Sequence, residues 1–262
     1  MNGLVADSSV LIGRHLRHLR RVPSKLIGVT LMPIAFVLVF GYLFGSAMQV
    51  PGGDYHDFIM AGVFVQMLLS GMGNTSLGII GDLNNGLVDR FRSLPMSRGS
   101  VLLARTVSDL MLSAITCLVM SVVGFLVGWR IHTGVLSALA GFGLLLLQGF
   151  AMAWFGVLLG LWLRGAEAVN SVGFIMAMPL SFLSSAFIPL NGLPGWLSTI
   201  AEWNPVSSVA SACRRLWGNP TGISSDSFPA QHPIPVAILS FAVLLVVTVP
   251  LSMRAYRRAV AR

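Results

Sequence analysis

The sequence predicts an all-α membrane protein with six transmembrane helices, and three observations carry that prediction. Of its 262 residues 55% are hydrophobic and only 10% charged, with a mean hydropathy of +0.81. The apolar residues gather in six runs, each near the roughly 20 residues a helix needs to cross a bilayer core. The positive charges fall almost wholly on one side of those runs. A soluble domain carries about 25% charged residues, and one water-facing core could not hide so much apolar surface.

The runs are roughly Leu26–Met48, Phe58–Ile80, Val107–Gly128, Val135–Leu163, Val169–Leu190 and Pro235–Met253. The third has an alternative start near Val101, and the fourth is long enough to tilt. Pro33, Pro179 and Pro250 fall within spans, where each frees a backbone carbonyl and marks a kink satisfied by neighbouring helices.

Residues 1–25 form a separate element. On a helix, Leu4, Val5, Leu11, Ile12, Leu16, Leu19 and Val22 share one face, and Arg14, Arg17, Arg20 and Arg21 the other. Such a helix suits the headgroup plane of a membrane. A cleaved leader fits less well, because the following apolar run is too long and has no A-x-A site after it.

Orientation follows from charge. With the N-terminus inside, segments 1–25, 81–106, 164–168 and 254–262 are internal and hold 14 of the 17 Lys and Arg. Only Arg130, Arg214 and Arg215 lie outside. Both termini are therefore expected in the cytoplasm of a protein of the cell membrane. The net charge of +8 lies beside apolar runs and suits lipid headgroups; no nucleic-acid-reading motif accompanies it.

The longest outer interval, 191–234, carries helix signals. Pro194 opens a short helix through Glu202. Asn204 reads as an N-cap with Pro205 at the first helical position, followed by Val206, Val209, Ala210, Cys213, Leu216 and Trp217 at helical spacing. Trp196, Trp203 and Trp217 suggest elements resting at the membrane interface. Residues 218–235 read as loop. Cys117 and Cys213 lie in dissimilar surroundings and are not expected to pair.

Catalytic patterns are missing. None of His15, His18, His56, His132 and His232 falls within a span, and there is no H-E-x-x-H or G-x-S-x-G. His15 and His18 have a spacing two metal ligands could use, but no third ligand accompanies them, so no metal site is expected. The only lysine, Lys25, follows Val22-Pro23-Ser24, so the chain lacks a phosphate-binding loop. It is expected to bind no cofactor, and any ATP must be hydrolysed elsewhere.

Asp109 is the one acidic residue within a predicted span, near its inner end, and Arg105 lies four residues earlier on the same face. The pair reads as an intramembrane ion pair reaching toward the inner interface. An intramembrane lipid-modifying enzyme and a proton-coupled carrier are the alternative classes. The first lacks a catalytic constellation; the second rests on Asp109 alone.

In the inner segment Gly81–Arg98, Leu87, Val88, Phe91 and Leu94 share one face of a short amphipathic helix. It either anchors the turn or docks on a cytosolic partner. The run Arg90-Phe91-Arg92-Ser93-Leu94-Pro95-Met96-Ser97-Arg98, then Leu103-Ala104-Arg105 and Asp109, resembles the signature of type-2 ABC exporter permeases, closest to the daunorubicin-resistance-like branch. So do Phe187-Ile188-Pro189, Leu193-Pro194-Gly195-Trp196-Leu197 and Asn204-Pro205-Val206-Ser207.

The resemblance implies a connecting helix on the membrane surface (3–22 within segment 1–25) and a six-span domain (26–262) with short external helices in 191–234. It implies a coupling helix, 82–98, contacting the ATPase through Asp89, Arg90, Arg92, Ser93, Leu94, Pro95 and Arg98. The inner turn with Arg164 and Glu167 would be a second contact. A second protomer, identical or paralogous, and two copies of a separate ATPase subunit carrying ATP and Mg would complete the exporter. Relatives of this kind carry drugs, glycolipids and polysaccharides. Few charges line the spans, so an amphipathic or hydrophobic substrate is expected. Ser70, Gly71, Gly73, Asn74, Thr75 and Ser76, with Ser181, Ser184 and Ser185, either line the passage or serve close helix packing.

Overall fold

The computed structural model describes residues 31–32, 34–44, 50, 53–84, 98–163, 165–190, 193–222 and 226–260. The expected interfacial helix 1–25 lies outside these residues, as do Pro33, Arg164 and positions 85–97 of segment 82–98. Among the described residues, regular structure is helical apart from one isolated bridge between Val50 and Gly53.

Helix α1 covers 34–44 and ends in a π-helical stretch, Val39–Phe44. There follow α2 (Tyr55–Asn84), α3 (Arg98–Val127), α4 (Val135–Leu163), α5 (Ala166–Phe182), α6 (Gly195–Trp203), α7 (Pro205–Trp217), α8 (Phe228–Gln231) and α9 (Pro233–Val260). Helices α2, α3, α4 and α9 are long and apolar enough to cross a membrane. The apolar α5 has 17 residues. Pro179 and Pro250 lie inside α5 and α9.

Helix α4 is the centre of the bundle, touching α2, α3, α5, α7 and α9 and packing most extensively on α2. Glycine permits that approach. A Cβ on Gly156 would lie 2.5 Å from the Met72 carbonyl oxygen, and one on Gly160 2.7 Å from that of Ser76. The G-x-x-x-G spacing thus brings two backbones together, as small residues do between membrane helices. Ser76 is fully buried in this seam and donates to the Gly156 carbonyl at 2.7 Å.

Helices α3 and α9, by contrast, turn large apolar side chains outward: Leu118, Leu126, Val243 and Val246 are all exposed. Water would penalise such surface, whereas lipid matches it. The polar-outside rule of soluble helices is thereby reversed.

At one end of the bundle, α7 packs on α2 and α9, α8 on α9, and α6 against α7 and α8. Asn204 organises this end. Its Oδ1 accepts from Val206 N at 2.9 Å, capping α7, while its Nδ2 donates to the carbonyls of Leu180 (2.8 Å) and Leu183 (2.6 Å). It therefore satisfies exposed carbonyls at the end of α5 as well as an amide at the start of α7. Helix α5 accordingly stops at Phe182, and the chain reaches Leu190 through turns rather than continuing as the expected helix.

Two further boundaries differ from expectation. Helix α3 begins at Arg98, because 98–106 continues the helix as an amphipathic extension of the apolar run. A short helix, α8, interrupts the expected loop 218–235, with Ser227 at its N-cap. Trp196 and Trp203 are exposed. Trp217 is instead fully buried, packed against Phe64, Trp129 and Phe142.

Candidate functional site

The polar groups of the bundle form two sites. The first lies between α2, α3 and α4. Helix α3 starts at Arg98, and Asp109 lies in the first half of the helix. Its Oδ2 accepts a 2.8 Å hydrogen bond from Thr75 Oγ1 on α2 and faces Arg105 Nε at 3.5 Å. Arg105 also reaches Asp82 on α2, Nη1 to Oδ2, at 3.2 Å. A guanidinium can cross there because position 78 is glycine: a Cβ would collide with Nη2 at 1.5 Å. One cation thus serves two carboxylates.

Beside Asp109 is a partly open cavity of about 170 Å³. Its polar wall carries Ser70, Asn74, Thr75, Asp109, Ser113 and Thr116. The hydroxyls of Ser70, Ser113 and Thr116 each donate to a carbonyl of their own helix, while that of Thr75 is turned to Asp109.

The second site is the capped end. Arg214 on α7 is fully buried; its Nε donates to Phe58 O and its Nη2 to Ala186 O, both at 2.9 Å. The guanidinium lies 3.6 Å from the Phe58 ring centroid, a cation–π contact strengthened by desolvation. Burial pulls its pKa down to about 9, so it remains a cation at neutral pH. Among the described residues no carboxylate pairs with it. The neighbouring Cys213 thiol is pushed up by burial, and both cysteines are free.

The structure brings some expected site residues together and separates others. Asp109 and Asn74 line the cavity, and Arg105 stands against Asp109 without lining it. Ser76 packs in the α2–α4 seam. Ser181 donates to Gln66 Oε1, Ser184 donates to the Ser181 carbonyl, and the Ser185 amide donates to Ser207 Oγ, so this trio sits under the α5–α7 turn. Glu167 is exposed in the first turn of α5, where its charge complements the helix dipole. Arg98 opens α3, while Asp89, Arg90, Arg92, Ser93, Leu94 and Pro95 lie outside the described residues.

Sequence reasoning overlooked Gln66, Gln148, Ser113, Thr116 and the buried role of Arg214. Gln148 is fully buried and donates to the Val65 carbonyl at 2.9 Å. A glutamine inside an apolar run was the available signal. Arg214 gave none, because an arginine beside Arg215 reads as a solvated pair.

A bundle of several helices long and apolar enough to cross a membrane defines a polytopic membrane protein. Residues 8–216 match the ABC-2 type transporter family, and the chain belongs to it. It is 30% identical over 238 residues to the daunorubicin resistance ABC transporter permease protein DrrB1 of Streptomyces coeruleorubidus, covering 91% of this chain and 81% of that one. The putative transport permease ycf38 of Cyanophora paradoxa is 29% identical, with coverages of 85% and 78%. The probable doxorubicin resistance ABC transporter permease protein DrrC of Mycobacterium tuberculosis is 25% identical, with coverages of 97% and 90%.

Proposed function

We propose that this ABC-2 permease subunit forms the translocation path of an exporter for amphipathic or hydrophobic molecules, driven by a separate ATPase. The observation that carries the reading is the family match across residues 8–216, joined to relatives named as drug-resistance permeases. That the single lysine lies outside any phosphate-binding pattern supports placing ATP and Mg on the partner.

In this reading two permease protomers, identical or paralogous, stand in the cell membrane with both termini cytoplasmic. Each engages one ATPase subunit. Segment 82–98 is the contact, with Asp89, Arg90, Arg92, Ser93, Leu94, Pro95 and Arg98 facing the ATPase and Glu167 beside them. Closure of the ATPase pair pushes this segment, and rigid helices carry the movement to the protomer interface. The Arg105 cluster supports the idea, since it ties Asp82, at the edge of that segment, to Asp109 within α3.

Replacing Arg92 and Leu94 together with Ala tests the docking assignment. Membrane expression should persist while export and substrate-stimulated ATP hydrolysis fall together, by about tenfold if one to two kcal/mol of contact is lost. Undiminished export and ATPase assembly in that double variant would refute it.

A further inference from the structure

We propose that the cavity beside Asp109 binds the cationic head of a membrane-soluble amphipath, with the Asp109 carboxylate as its counter-ion. The physiological meaning of this site rests on the exporter reading; the binding itself does not.

Charge decides the sign of the ligand. Asp82, Arg105 and Asp109 are linked in one chain of contacts and together carry one excess negative charge. Arg105 does not line the cavity, whereas Asp109 does, and it is the only charged group on that wall among the described residues. Both contacts to Asp109 fall on Oδ2. Its Oδ1 accepts no hydrogen bond among the described residues, nor is it sealed from access. An excess charge at membrane depth is costly, and an incoming cation neutralises it.

Shape decides the rest. The same cavity is also lined by Met32, Met67, Leu68, Leu112 and Ala153, a surface for hydrocarbon. Apolar walls with a few placed polar groups are the usual make-up of a small-molecule site. The volume of about 170 Å³ matches one ring or a short amine-bearing segment, since a cavity of about 150 Å³ admits benzene. The site therefore takes the head of a larger molecule, whose tail leaves through the open side.

Gly71 supplies a way to block the cavity without touching the ion pair. It lies on the wall, and a Cβ there meets nothing within 4 Å. Gly71→Leu fills the space while favouring the helix.

The test uses the full chain in nanodiscs of zwitterionic phosphatidylcholine, which removes cation binding by anionic lipid. The probes are a dansyl-labelled primary alkylamine and the alcohol of equal chain length, read by fluorescence polarisation against empty nanodiscs. The amine should bind saturably and about tenfold more tightly than the alcohol, as one charge-assisted hydrogen bond provides. Asp109→Asn should erase that preference and spare alcohol binding. Gly71→Leu should weaken both probes about tenfold, and Asp226→Asn, a change in an exposed loop, should alter neither. Equal affinity for the two probes, no saturable binding at all, or an amine preference that survives Asp109→Asn would overturn the proposal. If Asp109→Asn fails to fold, Gly71→Leu decides: unaltered amine binding in it overturns the site. Asp109-dependent binding without ATP-dependent export would count against the exporter reading and leave the site standing.

Discussion

Asn204 satisfies backbone groups that the ends of α5 and α7 leave free, and Arg214 adds donors to two further carbonyls at the capped end of the bundle. Asn204 accepts one hydrogen bond and donates two, joining the end of α5 to the start of α7. Neither Asp nor Ser provides both functions, since Asp lacks the donors and Ser is too short to span both helix ends. Asn204→Ala removes an N-cap and strands two carbonyls, so it should cost about 2–4 kcal/mol, read as a lowered midpoint in detergent unfolding. Asn204→Asp should recover only the capping part. Arg214 does related work from α7, drawing the Phe58 and Ala186 carbonyls onto one guanidinium. Close contact below it requires Gly62, where a Cβ would lie 1.8 Å from the Ala186 oxygen.

At the scale of elements, the α2–α4 seam is the most extensive helix contact among the described residues. Gly156→Leu would drive a side chain into the Met72 backbone, which cannot yield as a flexible side chain does. The helices must separate, at a cost of about 1–3 kcal/mol. Gly71→Ala, on the same helix pair but in open space, should be neutral or stabilising by up to about 1 kcal/mol. Denaturant titration of the two variants in one detergent checks both signs. These glycines also show what could be read from sequence alone. Spans α2, α4 and α9 were legible because apolar runs of that length have few other stable solutions. The ends of α3 and α5 were not. Hydropathy marks where lipid ends, whereas helices continue until caps or turns stop them, as Asn204 stops α5. Capping of α7 by Asn204 and Pro205 was readable because that signal is local.

Across the whole molecule, the proposed division of labour draws on two readings: the one lysine lies outside any phosphate-binding pattern, and the chain belongs to the ABC-2 type transporter family. The cavity was only half visible. Asp109, Arg105, Asn74 and Thr75 stood out as polar positions in apolar runs, but Ser113 and Thr116 do not differ in sequence from lipid-facing hydroxyls that bond their own helix. Only packing separates the two. The same limit applies to Ser76, which resembles Asn74 in sequence yet is buried against Gly156. Reconstitution in sealed vesicles with the ATPase side facing outward tests the central claim, with a lipophilic amine supplied outside and its accumulation in the lumen followed after ATP addition. Export should appear only when the chain and its ATPase partner are both present and ATP is hydrolysed. Uphill efflux by this chain alone, driven by a pH gradient without nucleotide, would contradict the account.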